Sequence, residues 1–270
     1  MRELDRTIGS YTHIDAPPWP ILICLLGSFR LLQSGRPITI PSGGKIETFL
    51  GRLSIQFDHR VQRSVLVDLL WPASDSALAH QSLNSLVYSL HKLTGDALGG
   101  AAAILHEDGY YRLNAAAGVG VDVACFDSWA DTGDQQVRDG DLVSAAMSYR
   151  QSVGLYRGDL AVERDVGSVL ERERLRARFL SLLGYLADAH YRVGEYGACL
   201  AQAWRLLRND PCREDAHRVV MRCYVQRGER AAALRHYQVC ARILHAEFDA
   251  APEQATTALF DQIRLRPSHV

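Results

Sequence analysis

The sequence predicts two domains, a small α/β domain followed by an all-α domain of paired helices. Short strand-like segments surround three amphipathic helices in residues 21–114, only helical periodicity follows residue 120, and one motif recurs after 34 residues. At 270 residues, 47% of them hydrophobic and 23% charged, the chain is long enough for two well-buried domains. We expect residues 1–20 to form a loose N-terminal tail and residues 115–120 to form a short linker.

The first domain alternates strands, helices and turns in a defined order. Its predicted elements are strands at 21–29 and 36–40, helices at 45–57, 61–70 and 77–93, and a strand-turn-strand hairpin at 101–114. Ser34-Gly35 and Asp108-Gly109 are turn sequences, and Pro72 ends the second helix. Strands, three helices and a terminal hairpin are the layout of a winged helix-turn-helix, whose third helix enters the DNA major groove while the hairpin, or wing, follows the backbone.

The third helix has an unusual polar face. Its apolar side consists of leucines and one valine at three- and four-residue steps, namely Leu83, Leu86, Val87, Leu90 and Leu93. The opposite side carries amides, hydroxyls, one aromatic ring and one cation but no acid: Gln81, Asn84, Ser85, Tyr88, Ser89 and Lys92. A solvated face is usually rich in glutamate and lysine, so this composition favours a surface that contacts a partner.

These residue types suit DNA recognition. Amides and hydroxyls hydrogen-bond base edges, so the base-reading candidates are Gln81, Asn84, Ser85 and Tyr88. An amide can bind adenine bidentately, whereas Tyr88 can instead contact a phosphate or a thymine methyl group. The phosphate candidates are the cations of the same domain, Lys45, Arg60, Arg63, Lys92 and Arg112, with Arg112 in the wing. The alternative for each cation is an ordinary solvated surface charge.

The second domain is predicted to be helical throughout. Its expected helices are at 123–129, 142–156, 169–192, 195–208, 213–227, 229–245 and 254–265. YRVGEYGACLAQAWRLL (191–207) aligns with VQRGERAAALRHYQVCA (225–241), matching Gly194 with Gly228 and Leu200 with Leu234. The offset of 34 residues is the period of tetratricopeptide repeats, in which helix pairs stack into a curved array. A more divergent unit begins near Asp139.

Several motifs carry a resemblance to a known family. In the first half they are LVDLLWP (66–72), the leucine register of 83–93 and GYYRL (109–113); in the second they are VD (121–122) with Phe126, LYRGDL (155–160), ERERLR (171–176), DPCREDAHR (210–218) and MRCY (221–224). Over residues 21–265 the chain resembles the antibiotic regulatory proteins of the SARP type. These are transcription activators that join an OmpR-like winged helix, here 21–114, to a bacterial transcriptional activator domain of tetratricopeptide repeats, here 121–267.

The resemblance implies a function and a set of partners. Members of the family bind direct repeats near promoters, as a homodimer or as two protomers side by side, and recruit RNA polymerase. By this resemblance the protein would be a cytoplasmic, nucleoid-associated activator that controls a secondary-metabolite (antibiotic) biosynthetic cluster. Its partners would be double-stranded promoter DNA and the RNA polymerase holoenzyme.

Other classes of protein are disfavoured by the sequence. PSGGK (41–45) lacks the first glycine and the final Ser or Thr of a phosphate loop, and no hydrolase, metalloprotease or dinucleotide motif occurs. We therefore expect no enzyme activity, no cofactor and no metal. The six cysteines have no metal-type spacing and fit buried reduced thiols. No apolar run approaches the length of a membrane span.

A protein-interaction adaptor remains the main alternative. The formal net charge is −1, and residues 1–120 carry ten basic and ten acidic side chains, whereas DNA-binding proteins are usually basic. The third helix ends in Ser89-Leu90-His91-Lys92, where the family commonly has paired arginines. In the adaptor hypothesis the repeats bind a protein, and the winged helix binds DNA weakly or only with a partner. A small-molecule sensor built on the repeats is neither indicated nor excluded.

Overall fold

The computed structural model describes residues 19–40, 44–55, 60–161 and 166–265. They form two compact units. The first contains the described residues up to Thr132 and those of Gly154–Leu175, and the second contains Gly133–Val153 and the described residues from Arg176 onward. Residues 1–18 of the expected tail and residues 56 and 57 of the expected first helix lie outside the described ranges. Within those ranges, no helix is long and apolar enough to cross a membrane.

The first unit has the element order of a winged helix-turn-helix. Its elements are β1 (Ile21–Cys24), β2 (Arg30–Gln33), β3 (Arg36–Ile38), α1 (Lys45–Ile55), β4 (Val61–Gln62), α2 (Arg63–Leu70), α3 (Ser76–Thr94), β5 (Ile104–Glu107), β6 (Tyr110–Leu113), β7 (Val119–Val121) and the first part of α4 (Asp122–Arg138). The predicted α/β fold class of this part is therefore confirmed. Both predicted hairpin turns form, with positive φ at Ser34, Gly35, Asp108 and Gly109.

The first sheet is built around a fully buried strand. Its strand order is β3-β2-β1-β7, with β1 antiparallel to β2 and parallel to β7. The predicted strand at 21–29 ends early because the N–H groups of Leu25 and Leu26 donate to the Asp122 carboxylate, at 2.8 and 2.9 Å. Gly27 then turns the chain with φ of 105°. Residues 115–120, expected to form a linker, instead hold a 3-10 turn and the start of β7.

The second sheet is the wing. Its order is β4-β6-β5, with antiparallel pairing throughout. The predicted second helix was wrong at its first two residues, because Val61 pairs with Tyr111 and Gln62 with Tyr110. Helix α2 therefore begins at Arg63, whose N–H donates to the Gly109 carbonyl in the wing turn at 2.9 Å. The start of α2 and the tip of the wing are thus held together.

The second unit consists of helices. They are the end of α4, α5 (Leu142–Leu155), most of α6 (Val166–Arg192), α7 (Tyr196–Asn209), α8 (Glu214–Gln226), α9 (Arg230–Phe248) and α10 (Gln254–Leu265). Most predicted bounds differ from these by one to three residues. Helix α4 was predicted to end at Trp129 but continues to Arg138. It passes through Gly133, where a side chain would collide with the Tyr149 ring.

The predicted repeat has a structural counterpart in the turns between helices. Gly140, Gly194 and Gly228 have φ of 82°, 78° and 77°. Each donates its N–H to the carbonyl three residues earlier, and the next residue donates to the carbonyl five residues earlier. The same turn therefore ends a helix three times, once in the divergent unit near Asp139. This recurrence confirms the predicted fold class of the second domain, an all-α domain of repeat-like helix pairs. The last three helices close over Met221, Ala233, Leu259 and Ile263.

Candidate nucleic-acid interface

Helix α3 presents one face to the core and the other to solvent. The Asp75 carboxylate caps its start by accepting the Ala77 N–H at 2.9 Å. Ala79, Leu83 and Leu90 are at most 1% exposed and hold the inner face in the core. The predicted outer stripe is exposed at every position, namely Gln81, Asn84, Ser85, Tyr88 and Lys92. The structure therefore places the four base-reading candidates on one accessible surface.

Two large hydrophobic side chains of this surface are exposed, Tyr88 at 71% and Leu78 at 63%. The sequence analysis missed Leu78. Its position seven residues before Ser85 puts it on the same stripe, and that spacing was the available signal. An exposed aliphatic side chain near the start of a reading helix suits a thymine methyl group.

The serine hydroxyls of the outer face donate to the helix itself. Ser85 Oγ donates to the Gln81 carbonyl at 3.1 Å, and Ser89 Oγ donates to the Ser85 carbonyl at 2.9 Å. In this state each hydroxyl proton is engaged while the oxygen lone pairs face solvent. Ser85 is therefore arranged to accept a hydrogen bond, as from the amino group of cytosine or adenine.

Asn84 and Arg63 contact each other. Arg63 Nη2 donates to Asn84 Oδ1 at 3.0 Å and to the His80 carbonyl at 3.3 Å. Arg63, a predicted phosphate-binding residue, thus binds Asn84, a predicted base-reading residue that lies 21 positions later in the sequence. The Arg63 charge also lies near Tyr111. Burial raises the pKa of Tyr111, and the Arg63 charge partly offsets this rise.

Two of the other four predicted phosphate contacts have partners within the protein. Lys45 Nζ lies 4.3 Å from the centroid of the Trp71 ring, a cation-π contact, although the residue remains exposed. Arg112 forms an ion pair with Glu107 at 3.4 Å on the wing, where both side chains are roughly half exposed. Such a surface pair contributes little, about 0–1 kcal/mol, so Arg112 is easily released. Arg60 and Lys92 are exposed.

Two histidines contact the elements that carry this surface. His91 Nε2 lies 3.1 Å from the Ile104 carbonyl and 3.3 Å from its amide nitrogen, which links α3 to β5. His106 stacks on Tyr111 with ring centroids 4.3 Å apart, and Phe49 meets the same tyrosine edge-on at 6.2 Å. The wing and α3 are therefore fixed to a common core by side chains that were not predicted to contact DNA.

Comparison with known proteins places the chain in a family. Residues 121–264 match the family described as "Bacterial transcriptional activator domain". The chain is 24% identical over 238 residues to Regulatory protein DnrI of Streptomyces peucetius, across 85% of this chain and 87% of that protein.

Among solved structures, Mycobacterium tuberculosis EmbR in complex with a low-affinity phosphopeptide matches with a TM-score of 0.70 and 22% identity. This match covers 91% of the present chain but 65% of the EmbR chain, and at such identity it shows a common fold. The family match takes in over half of the sequence, and a winged helix-turn-helix precedes it. The chain therefore belongs to the bacterial transcriptional activator domain family, as a transcription regulator of the SARP type.

Proposed function

We propose that the protein is a sequence-specific DNA-binding transcription activator that binds promoter direct repeats and recruits RNA polymerase. By family, its targets would be the promoters of a secondary-metabolite (antibiotic) biosynthetic cluster, and it would act in the cytoplasm on the nucleoid. The winged helix is assigned to DNA, and the helical repeats are assigned to polymerase. Two protomers would occupy adjacent repeats of the promoter, side by side or as a homodimer.

The observation that carries this proposal is the exposed, acid-free outer stripe of α3. All nineteen residues of the helix lack a carboxylate, so nothing on it repels a phosphate backbone. Gln81, Asn84 and Ser85 supply hydrogen-bonding groups where a reading helix meets base edges. Tyr88 and Lys92 follow toward the end of the helix, where backbone contacts are common.

The candidate phosphate contacts lie on separate elements of the winged helix. Lys45 begins α1, Arg60 precedes β4, Arg63 begins α2, Lys92 lies in the last turn of α3 and Arg112 lies in the wing. Contacts to phosphate fix the orientation of a protein on the duplex without reading sequence. If all five bound phosphates, the logarithm of the binding constant would fall with the logarithm of salt with a slope of about −4 to −5.

Fluorescence anisotropy with labelled duplexes tests the proposal. The duplexes would be enriched from a random pool, and the wild type would be compared with Lys92→Ala between 50 and 300 mM salt. We expect binding that weakens with salt and a slope reduced by about 1 in the variant. Arg242→Ala is the matched control, because Arg242 is exposed on the second unit and its loss removes the same charge. Failure of the wild type to bind any duplex at low salt would refute the proposal.

A protein-interaction adaptor is the second candidate, and one observation favours it. Three of the five predicted phosphate contacts already have intramolecular partners, since Lys45 lies on Trp71, Arg63 binds Asn84 and Arg112 pairs with Glu107. Together with the formal net charge of −1, this weakens the expected attraction to DNA. An adaptor would show no salt-dependent binding to duplexes, so the same titration separates the two candidates.

A further inference from the structure

Arg63 has a position that a simple phosphate contact would not need. Its backbone N–H donates to the Gly109 carbonyl at 2.9 Å, so its Cα is held against the turn of the wing. Its side chain then crosses to α3 and donates to the His80 carbonyl and to Asn84. One residue thus connects the wing turn, the backbone of the reading helix and a base-reading candidate.

The orientation of the Asn84 amide follows from the chemistry of its partner. A guanidinium has only N–H donors and no acceptor. The Asn84 atom that faces Arg63 must therefore be Oδ1, the only acceptor of the amide. The 3.0 Å contact uses one of the two lone pairs of Oδ1 and leaves both N–H donors of the Asn84 NH₂ group available to a ligand on the exposed side of the helix.

We propose that Arg63 is a positioning residue that fixes the Asn84 amide, with its oxygen toward the guanidinium and its NH₂ group toward the ligand, and so sets the base that Asn84 selects. This inference rests on the proposed DNA-reading function. A free asparagine can bind adenine bidentately, accepting from N6 and donating to N7. Oδ1 keeps a second lone pair, but the positive charge of Arg63 beside it disfavours a further donor such as the adenine N6 amino group. Guanine instead presents two acceptors, N7 and O6, so the fixed amide favours guanine over adenine.

The inference differs from a phosphate role for Arg63 in what it predicts. A phosphate contact changes affinity for all sequences by the same factor and changes the salt slope by about 1. A positioning contact changes the preference at one base pair and leaves the others unchanged. The two roles are therefore distinguished by the pattern of effects, independently of how large the loss of affinity is.

The experiment measures wild-type and variant affinities on a panel in which each base pair of the selected site is replaced in turn. We expect the wild type to prefer guanine to adenine by roughly tenfold at one position, which corresponds to about 1.4 kcal/mol. Asn84→Ala should remove the preference at that position alone. Arg63→Ala should shift the preference at the same position toward adenine, because the amide is then free to turn over.

Two conservative variants keep the test informative if Arg63→Ala fails to fold. Arg63→Lys keeps the charge but replaces the planar donor group, and should relax the guanine preference without changing the salt slope. Asn84→Asp keeps the acceptor for Arg63 but has no donor, and should lose the guanine preference. Arg60→Ala is the matched control for a lost charge, for which we expect a uniform loss across the panel.

The possible results lead to different conclusions. A base-specific change in the Arg63 variants, at the position that Asn84→Ala identifies, supports the inference. A uniform loss with a salt slope lower by about 1, as in Arg60→Ala, overturns it while leaving the DNA-binding function intact. Absence of wild-type binding to every duplex refutes the proposed function, and the inference with it.

Discussion

Two buried histidines in the second unit should make its stability depend on pH. His217 on α8 and His236 on α9 are 2% and 4% exposed, with His217 Nδ1 and His236 Nε2 2.9 Å apart. His217 Nε2 lies 2.8 Å from the Pro211 carbonyl, which can only accept, so this nitrogen carries the proton. His217 Nδ1 then accepts from His236 Nε2–H. If both rings were protonated, two donors would face each other, so the pair cannot carry two charges.

Lowering the pH should therefore destabilise this unit. Burial, followed by the charge of the neighbouring His217, lowers the pKa of His236 from 6.5 to about 4. Burial also lowers the pKa of His217. As pH falls below 6.5 the unfolded chain takes up protons before the folded one, so the stability present at neutral pH is lost as pH falls toward 4. For His236 alone the loss amounts to about 3 kcal/mol.

The comparison of wild type with His236→Gln isolates this contribution. Glutamine keeps an N–H donor for His217 but cannot titrate in this range. Urea unfolding, followed by helical circular dichroism at pH 7, 6, 5 and 4, gives the free energy of unfolding of each protein. The free energy of unfolding of the wild type minus that of His236→Gln should become more negative by about 3 kcal/mol from pH 7 to pH 4.

His245→Gln is the matched control. His245 belongs to the same helix, its side chain is 75% exposed, and its replacement removes an imidazole without touching the pair. The reasoning would be refuted if the difference between wild type and His236→Gln stayed constant from pH 7 to pH 4. A difference of the same size in the His245 variant would likewise show that burial is not the cause.

Three further predictions concern the framework of the molecule. Burial raises the pKa of Asp122 to about 6, although hydrogen bonds from backbone N–H groups act to lower it. Above pH ~4 the unfolded chain loses this proton while the folded protein keeps it, so the free energy of unfolding should fall as pH rises from about 4 to about 6. In urea titrations at several pH values, Asp122→Asn should remove this fall. Gly133→Ala should lower the free energy of unfolding by ~1–3 kcal/mol, because the new Cβ would lie 2.4 Å from the Tyr149 ring. Gly184→Ala has open space around its Cβ and should raise the free energy of unfolding by up to ~1 kcal/mol. Equal melting temperatures for the two variants would contradict this. Asp75→Ala should cost ~0.5–2 kcal/mol through the lost cap of α3, and unchanged melting would show that the cap is dispensable.

The parts of the fold predicted correctly are those with local signals. The leucine spacing of α3 identifies its buried face directly, because a buried stripe on a helix requires apolar residues at steps of three and four. The Ser34-Gly35 and Asp108-Gly109 turns were predictable because their positive φ values favour these residue types. The glycine turns of the repeat follow the same rule.

The parts that were missed depend on distant partners. Strand β4 has two residues, too few for a periodic pattern, and exists because Tyr110 and Tyr111 pair with it. Strand β7 consists of Val-Gly-Val after three alanines and a glycine, a composition that predicts a linker. The contact of Arg63 with Asn84 depends on how α2 and α3 pack, so local sequence could make each residue a candidate for DNA contact but could not predict that they bind each other.

The central position of β1 has a consequence for biosynthesis. This apolar strand leaves the ribosome well before β7, one of its two neighbours, and the adjoining Leu26 bridges to Leu160 still later in the chain. At about 5–20 residues per second, one edge of β1 stays open for several seconds of translation. Nascent chains and truncated fragments that end before β7 therefore present an unpaired apolar edge, and expression of the winged helix alone should require residues beyond 121.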